Sequence, residues 1–138
     1  LVYYFKGGDG MAETVALFGE AEKGDFRTAY FFQHVSQLVD HLGNPPEESV
    51  GLHYAVQALL MEQQVIFFRV EEEGFSIKDY MLGLKFLEQK HLIADLTAVF
   101  LPGVGSMDII DAVLPICDLY DSVLIMTESD LYDYMTSF

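Results

Sequence analysis

The sequence predicts an all-α fold of five to six helices, arranged as a bundle or as a short array of stacked helical hairpins. Three observations favour this class. Apolar residues recur at spacings of three and four over most of the chain. Glycines and prolines separate these repeats. Capping residues and acids stand where the helices would begin.

The segment from residue 44 to residue 74 has the clearest start and stop signals. Asn44 can cap a first helical turn, and Pro45 suits the first helical position. Gly74 supplies the stop. One apolar stripe runs between them: Leu52, Val56, Leu59, Ile66 and Val70. We therefore expect a central helix of roughly 45 Å, at about 1.5 Å per residue, around which the other helices pack.

Two shorter helices are expected before this segment, over residues 11–23 and 25–42. The stretch that joins them, Lys23 to Ala29, reads KGDFRTA. It resembles the turn between the two helices of a tetratricopeptide repeat, a family with which the rest of the chain shares no period. The resemblance implies an antiparallel helical hairpin at this point.

After the central segment, an apolar repeat from Ser76 to Leu101 predicts another long helix. Two further helices are expected after Ser106 and Thr127, and Pro115 should kink or end the first of them. The chain also repeats itself weakly at an offset of fifty residues, with Gly24 matching Gly74, Tyr30 matching Tyr80 and His41 matching His91. The matches are either coincidental or the mark of two stacked helical hairpins.

The alternative fold is α+β. Residues 65–70, VIFFRV, are β-branched and aromatic and can form a strand. In that case residues 1–6 and 122–126 are the expected neighbours in a small sheet. Under either fold, we expect residues 11–138 to form one acidic domain, which is helical throughout if the all-α prediction holds. Residues 1–10 are expected to be a flexible arm or an extension foreign to the natural chain.

Charge is the clearest hint to function. The chain has 7 Lys and Arg against 22 Asp and Glu, a net charge of −15, and every base lies at or before Lys90. Such a surface repels nucleic acid and anionic membranes and attracts basic proteins. We therefore expect a basic protein partner and no direct contact with nucleic acid or membrane. The single cysteine, Cys117, fits a reducing compartment, and we expect a cytoplasmic protein.

No catalytic spacing is recognisable, and we expect neither an enzyme nor a bound cofactor. Glu88 and His91 form one Glu-x-x-His motif, whereas a di-iron bundle needs two. His34, His41 and His53 have no such partner, so we expect no metal site. Three consecutive glutamates, residues 71–73, are interpreted as a solvated helix end. Cys117 is expected to be an unreactive core residue.

The most suggestive motif is a repeated tetrapeptide, Asp-Leu-Tyr-Asp, twelve residues apart. It places an apolar anchor and an amphipathic Tyr between two acids, a combination suited to contact surfaces. The expected partner-binding residues are Asp118, Leu119, Tyr120, Asp121, Asp130, Leu131, Tyr132 and Asp133. The predicted function is an acidic interaction module of adaptor, chaperone-like or inhibitor type. The alternative is an inhibitor that mimics nucleic acid, and the apolar content is also consistent with a homodimer.

Overall fold

A computed structural model describes residues 13–137, and the predicted arm over residues 1–10 lies outside this range. The described part of the chain forms five strands and five helices. In chain order they are β1 (Thr14–Gly19), β2 (Ala29–Phe32), α1 (Val35–Leu42), α2 (Gly51–Leu60), β3 (Gln64–Arg69), α3 (Ile77–Leu87), β4 (Ala98–Phe100), α4 (Met107–Tyr120), β5 (Val123–Ile125) and α5 (Glu128–Thr136).

The strands form one mixed sheet in the order β2-β3-β1-β4-β5. Strand β2 is antiparallel to β3, and the other neighbouring pairs are parallel. The predicted all-α bundle is therefore wrong, because the structure is an α+β fold. The alternative correctly placed strands at residues 65–70 and 122–126, but β1 and β4 separate these strands, and residues 1–6 are not described.

The fifty-residue offset marks two paired strands and not two stacked hairpins. Strands β1 and β3 pair in register from Thr14 opposite Gln64 to Gly19 opposite Arg69. The glycines that follow each strand, Gly24 and Gly74, both adopt positive φ angles, of 97° and 88°. Of the matched residues, only the two glycines have similar positions. Tyr30 lies in β2 whereas Tyr80 lies in α3, so the repeat does not extend beyond the two strands and their turns.

The two faces of the sheet carry separate hydrophobic cores. Side chains of β1 alternate between them, with Ala16 and Phe18 on one face and Val15 and Leu17 on the other. Helices α3 and α4 cover the first face, and α1 and α2 cover the second. Every residue of β1 is buried, which explains its continuous apolar sequence.

The predicted central helix is wrong both at its start and in its second half. Helix α2 begins at Gly51 and not at Asn44, and Val50 is the residue before its first turn. Helix α2 ends at Leu60, and Glu62 turns the chain with a positive φ of 62°. Residues 64–69 then form β3, which is buried on both faces. A strand buried on both faces has no period of two, so its apolar residues happened to extend the helical stripe.

Three other predicted helices also contain strands. Of these strands, β1 and β4 are fully buried, whereas β2 is an edge strand on which Phe31 is exposed. Residues 11–23 contain β1, residues 25–42 contain β2 and α1, and residues 76–101 contain α3 and β4. The proposed hairpin turn from Lys23 to Ala29 is mostly the loop from β1 to β2. The last two helices are confirmed, including the cap of α5, where the Asp130 N–H donates to Thr127 Oγ1 at 3.1 Å.

Pro115 lies inside α4 and does not end it, because the helix continues to Tyr120.

None of the helices described between residues 13 and 137 is long and apolar enough to span a membrane.

A buried arginine fixes the loop after β1. Arg69, at the end of β3, donates from Nη2 to the carbonyl of Ala21 at 3.0 Å and from Nη1 to the carbonyl of Gly24. Its guanidinium also lies 3.9 Å from the centroid of the Phe26 ring. The loop is therefore attached to the neighbouring strand, close to the edge where the parallel strands end.

Helix α2 offers a matched test of this fold. Leu59 is 7% exposed, whereas its neighbour Leu60 is 71% exposed. Leu59→Asp should lower the free energy of unfolding by more than about 4 kcal/mol, because it buries an unpaired charge. Leu60→Asp should change it by less than about 0.5 kcal/mol. Urea unfolding followed by circular dichroism measures both, and equal midpoints would contradict the placement of α2.

Candidate functional site

A crevice opens where the parallel strands end. After β1 the chain forms the edge strand β2 before it reaches the helices α1 and α2 on one face, whereas after β3 and β4 it enters the helices on the other face. Ligands of α/β sheets characteristically bind where strands diverge in this way. The crevice encloses about 530 Å³, and its lining residues are Glu20, Glu47, Glu48, Val50, Glu72, Glu73, Phe75 and Gly103. Five of these eight residues are glutamates and none is basic.

One carboxylate organises this crevice. Glu73 Oε1 accepts hydrogen bonds from the backbone N–H groups of Glu20 at 3.1 Å and Gly51 at 3.2 Å, and Oε2 accepts one from Val50 at 2.8 Å. Val50 and Gly51 begin α2, so Glu73 also caps that helix. In return, the Glu73 N–H donates to Glu20 Oε2 at 2.9 Å. The carboxylates of Glu20 and Glu73 are therefore occupied by the fold itself.

Two glycines permit this arrangement. A Cβ on Gly19 would lie 2.6 Å from Glu73 Oε1 and 3.0 Å from the Gly51 Cα. A Cβ on Gly51 would meet the same carboxylate at 2.8 Å. The end of β1 and the start of α2 can thus approach each other only because both positions lack a side chain. Burial raises the pKa of the Glu73 carboxyl above its usual value, and the nearby charge of Glu20 adds to this effect.

The loops after β3 and β4 are fixed on the other side of the crevice. The Gly74 N–H donates to the hydroxyl of the buried Tyr80 at 2.6 Å. The Gly103 N–H donates to Asp130 Oδ2 at 2.9 Å, which attaches α5 to the loop after β4. Burial raises the pKa of Tyr80, so this hydroxyl stays protonated at neutral pH.

The structure divides the predicted partner-binding residues into two groups. Six of the eight are exposed: Asp118, Leu119, Asp121, Leu131, Tyr132 and Asp133. The other two support the fold. Asp130 is 8% exposed and holds Gly103, and the half-buried Tyr120 donates its hydroxyl to the carbonyl of Leu87 at 2.6 Å.

The exposed members of the first unit lie at the end of α4, and those of the second lie in the middle of α5, so they flank the edge strand β5 in the sequence. A hollow of about 300 Å³ runs along this strand and the first turn of α5. Its lining residues are Val123, Leu124, Ile125, Met126, Thr127, Glu128 and Leu131. We call this hollow the β5 groove. It brings Leu131 of the second Asp-Leu-Tyr-Asp unit to β5, whereas Leu119 of the first unit is not part of its lining.

The structure also places the residues considered as metal ligands or as a nucleophile. Glu88 and His91 follow the end of α3 and are exposed, so their motif is not helical. His41 Nδ1 lies 2.9 Å from the carbonyl of Gln37 in the preceding turn of α1. Within residues 13–137, no group of three or more His, Cys, Asp or Glu is arranged to hold a metal ion. Burial, together with the charge of Asp118, raises the pKa of the Cys117 thiol, which disfavours the thiolate.

Sequence reasoning missed the crevice, because glutamates 71–73 were assigned to a helix end. They follow β3 instead, and Glu73 points back into the structure. The missed signal was a continuous apolar run followed by polar residues, which is typical of a buried parallel strand.

No family model matches the chain, and no curated protein shows significant similarity to it.

The role of Glu73 can be tested against its exposed neighbour Glu72. Glu73→Ala leaves three backbone N–H groups without their acceptor and should lower the free energy of unfolding by about 2–3 kcal/mol. Glu72→Ala removes the same charge from the next position and should change it by less than about 0.5 kcal/mol. Urea titrations compare the two variants, and similar losses would show that Glu73 does not hold the loops together.

The raised pKa of Glu73 predicts a pH dependence. The folded protein binds the Glu73 proton more tightly than the unfolded chain does, where the pKa is about 4.5. This contribution to stability is complete below the unfolded pKa and is lost as the pH rises through the folded one. The difference in unfolding free energy between the parent and Glu73→Ala should therefore be larger near about pH 5 than near about pH 7.5. A difference that instead grows with pH would mean that hydrogen bonding outweighs burial.

Proposed function

We propose that the protein is an acidic interaction module, of adaptor, chaperone-like or inhibitor type, which binds a basic protein through its C-terminal third. The distribution of charge carries this proposal. Residues 91–137 contain eight acids and no Lys or Arg, and Asp130 alone among these acids is buried. The seven exposed acids are Asp95, Asp108, Asp111, Asp118, Asp121, Glu128 and Asp133.

Apolar anchors accompany these acids. Leu119, Val123, Leu131, Tyr132 and Met135 are each between 42% and 69% exposed, and all belong to the end of α4, β5 or α5. Exposed apolar residues grouped among like charges are typical of a contact surface, in which the acids attract a partner and the apolar groups hold it. A small segment that combines both features supports binding rather than solubility alone.

The proposal predicts that position, and not only net charge, decides binding. The variant D118N/D121N/D133N removes three exposed acids from the C-terminal third. The control D25N/D40N/E62Q removes three exposed acids elsewhere, so both proteins have a net charge of −12, which is −15 plus 3. Peptides of twelve residues, rich in Lys and Arg, are first selected from a library on the parent protein.

The C-terminal variant should bind these peptides about tenfold more weakly, because each exposed ion pair contributes about 0.3–1 kcal/mol. The control should bind within about twofold of the parent. Isothermal titration calorimetry measures both affinities, and thermal melts verify that the variants are folded. If both variants lose the same affinity, the net charge of the protein explains the loss and the position of the acids does not, which would contradict the proposal.

The second candidate function is inhibition of a nucleic-acid-binding protein by charge mimicry. One observation favours it: Asp108, Asp111 and Asp118 are exposed along α4, at intervals of about 4.5 and 10.5 Å along the helix axis. A mimic depends on such acids and loses affinity steeply with salt. D108N/D111N should abolish binding by a mimic, and Tyr132→Ala should have no effect on it. An adaptor should lose affinity with Tyr132→Ala and only part of its affinity with D108N/D111N, because the other five exposed acids of the C-terminal third remain.

A further inference from the structure

Strand β5 forms the outer edge of the sheet, and within residues 13–137 no strand pairs with its far side. It pairs in parallel with β4, and the Val123 N–H donates to the carbonyl of Thr97 at 3.0 Å. The N–H and C=O of one residue point to the same side of a strand, and the side alternates along it. Leu124 therefore directs its N–H and C=O away from β4, where a further strand can bind them.

The β5 groove provides a place for an apolar side chain beside this edge. Val123 is 50% exposed and Leu131 is 44% exposed, and both line the groove. Helix α5 begins at Glu128, three residues after β5 ends, so its first turn forms the opposite wall. A strand added to β5 would place alternate side chains over this groove.

Charge identifies the kind of segment that fits. Asp121 is exposed immediately before β5, and Glu128 lines the groove itself. The described chain has no Lys or Arg after residue 90, and Lys90 itself places its Nζ 5.9 Å from the centroid of the Tyr120 ring. A second copy of this chain would bring acids against acids, which disfavours pairing between two β5 strands. A segment that alternates apolar and basic residues satisfies both the groove and its rim.

We propose that β5 binds an extended, basic segment of the partner protein as a sixth strand of the sheet, an inference that rests on the function proposed above. The segment's main chain pairs with Leu124, one apolar side chain enters the β5 groove, and Lys or Arg side chains contact Asp121 and Glu128. Affinity then comes from backbone pairing and the groove, and selectivity comes from the charges.

The probe is the peptide acetyl-Lys-Val-Lys-Val-Lys-Val-Lys-amide, together with two analogues that are N-methylated at alternate residues in opposite phase. Each analogue loses the N–H groups of one edge. One analogue should bind at least about tenfold more weakly than the parent peptide, and the other within about twofold, because a single edge faces β5. Amide exchange of Leu124 should slow when the unmodified peptide binds to the full chain.

Two variants test the groove. Leu131→Ala should weaken peptide binding about fivefold or more, because it removes one wall of the groove. Leu60→Ala, which truncates an exposed leucine of α2, is the matched control and should have no effect. Far-ultraviolet circular dichroism verifies that both variants are folded.

The outcomes separate this inference from the function on which it rests. If neither analogue loses affinity, or if the Leu124 amide is already protected in the free protein, strand addition is wrong, while docking by charge is unaffected. If the unmodified peptide fails to bind even at low salt, strand addition at β5 is also wrong. The proposed function fails only if no basic peptide selected from the library binds the parent protein.

Discussion

The arrangement of this protein depends on one carboxylate that three backbone segments share. Glu73 follows β3, accepts a hydrogen bond from the segment after β1, and caps the start of α2. The strands β1 and β3 are already adjacent in the sheet, so this carboxylate secures the positions of the loops that leave them. Gly19 and Gly51 must lack side chains for the loops to meet. The interaction therefore fixes the residue type at three places that are distant in sequence: Gly19, Gly51 and Glu73.

The acids of the crevice and those of the C-terminal third have different roles. At the crevice, Glu20 and Glu73 accept hydrogen bonds from the backbone and stabilise the fold. In the C-terminal third, seven of eight acids face solvent without a neighbouring base in the same segment. Asp130 is the exception, because it repeats the role of Glu73 by accepting from the Gly103 N–H. The same residue types are thus structural where backbone donors converge and available for binding where none do.

The parts of the fold that were predictable from sequence are those with local signals. Helices α4 and α5 have capping residues and acidic first turns, and both are present. The parallel strands β1, β3 and β4 have no such signals. Their burial on both faces produces continuous apolar runs, and spacings of three and four arise in these runs by chance. The fifty-residue repeat marks no repeated unit, because its matched tyrosines and histidines lie in different kinds of element.

The crevice was not predictable from local patterns, because its lining comes from segments between residues 20 and 103 that meet only in the fold. The predicted partner-binding surface is different, and its role stays a prediction. The uneven charge and the Asp-Leu-Tyr-Asp units could be recognised, and most of their residues are exposed. The burial of Asp130 could not be foreseen, since it depends on the loop after β4, which is 27 residues away in sequence. The edge position of β5 depends on the order of strands in the sheet, which no local pattern encodes.

The brevity of β5 has a consequence for the solubility of the protein. Three residues give an added strand few hydrogen bonds, so a neutral β-rich segment gains little by pairing there. The acids on both sides of the strand repel one another when two copies approach edge to edge. Both features disfavour edge-to-edge association between copies of the chain, which is how an open sheet edge can start a fibre.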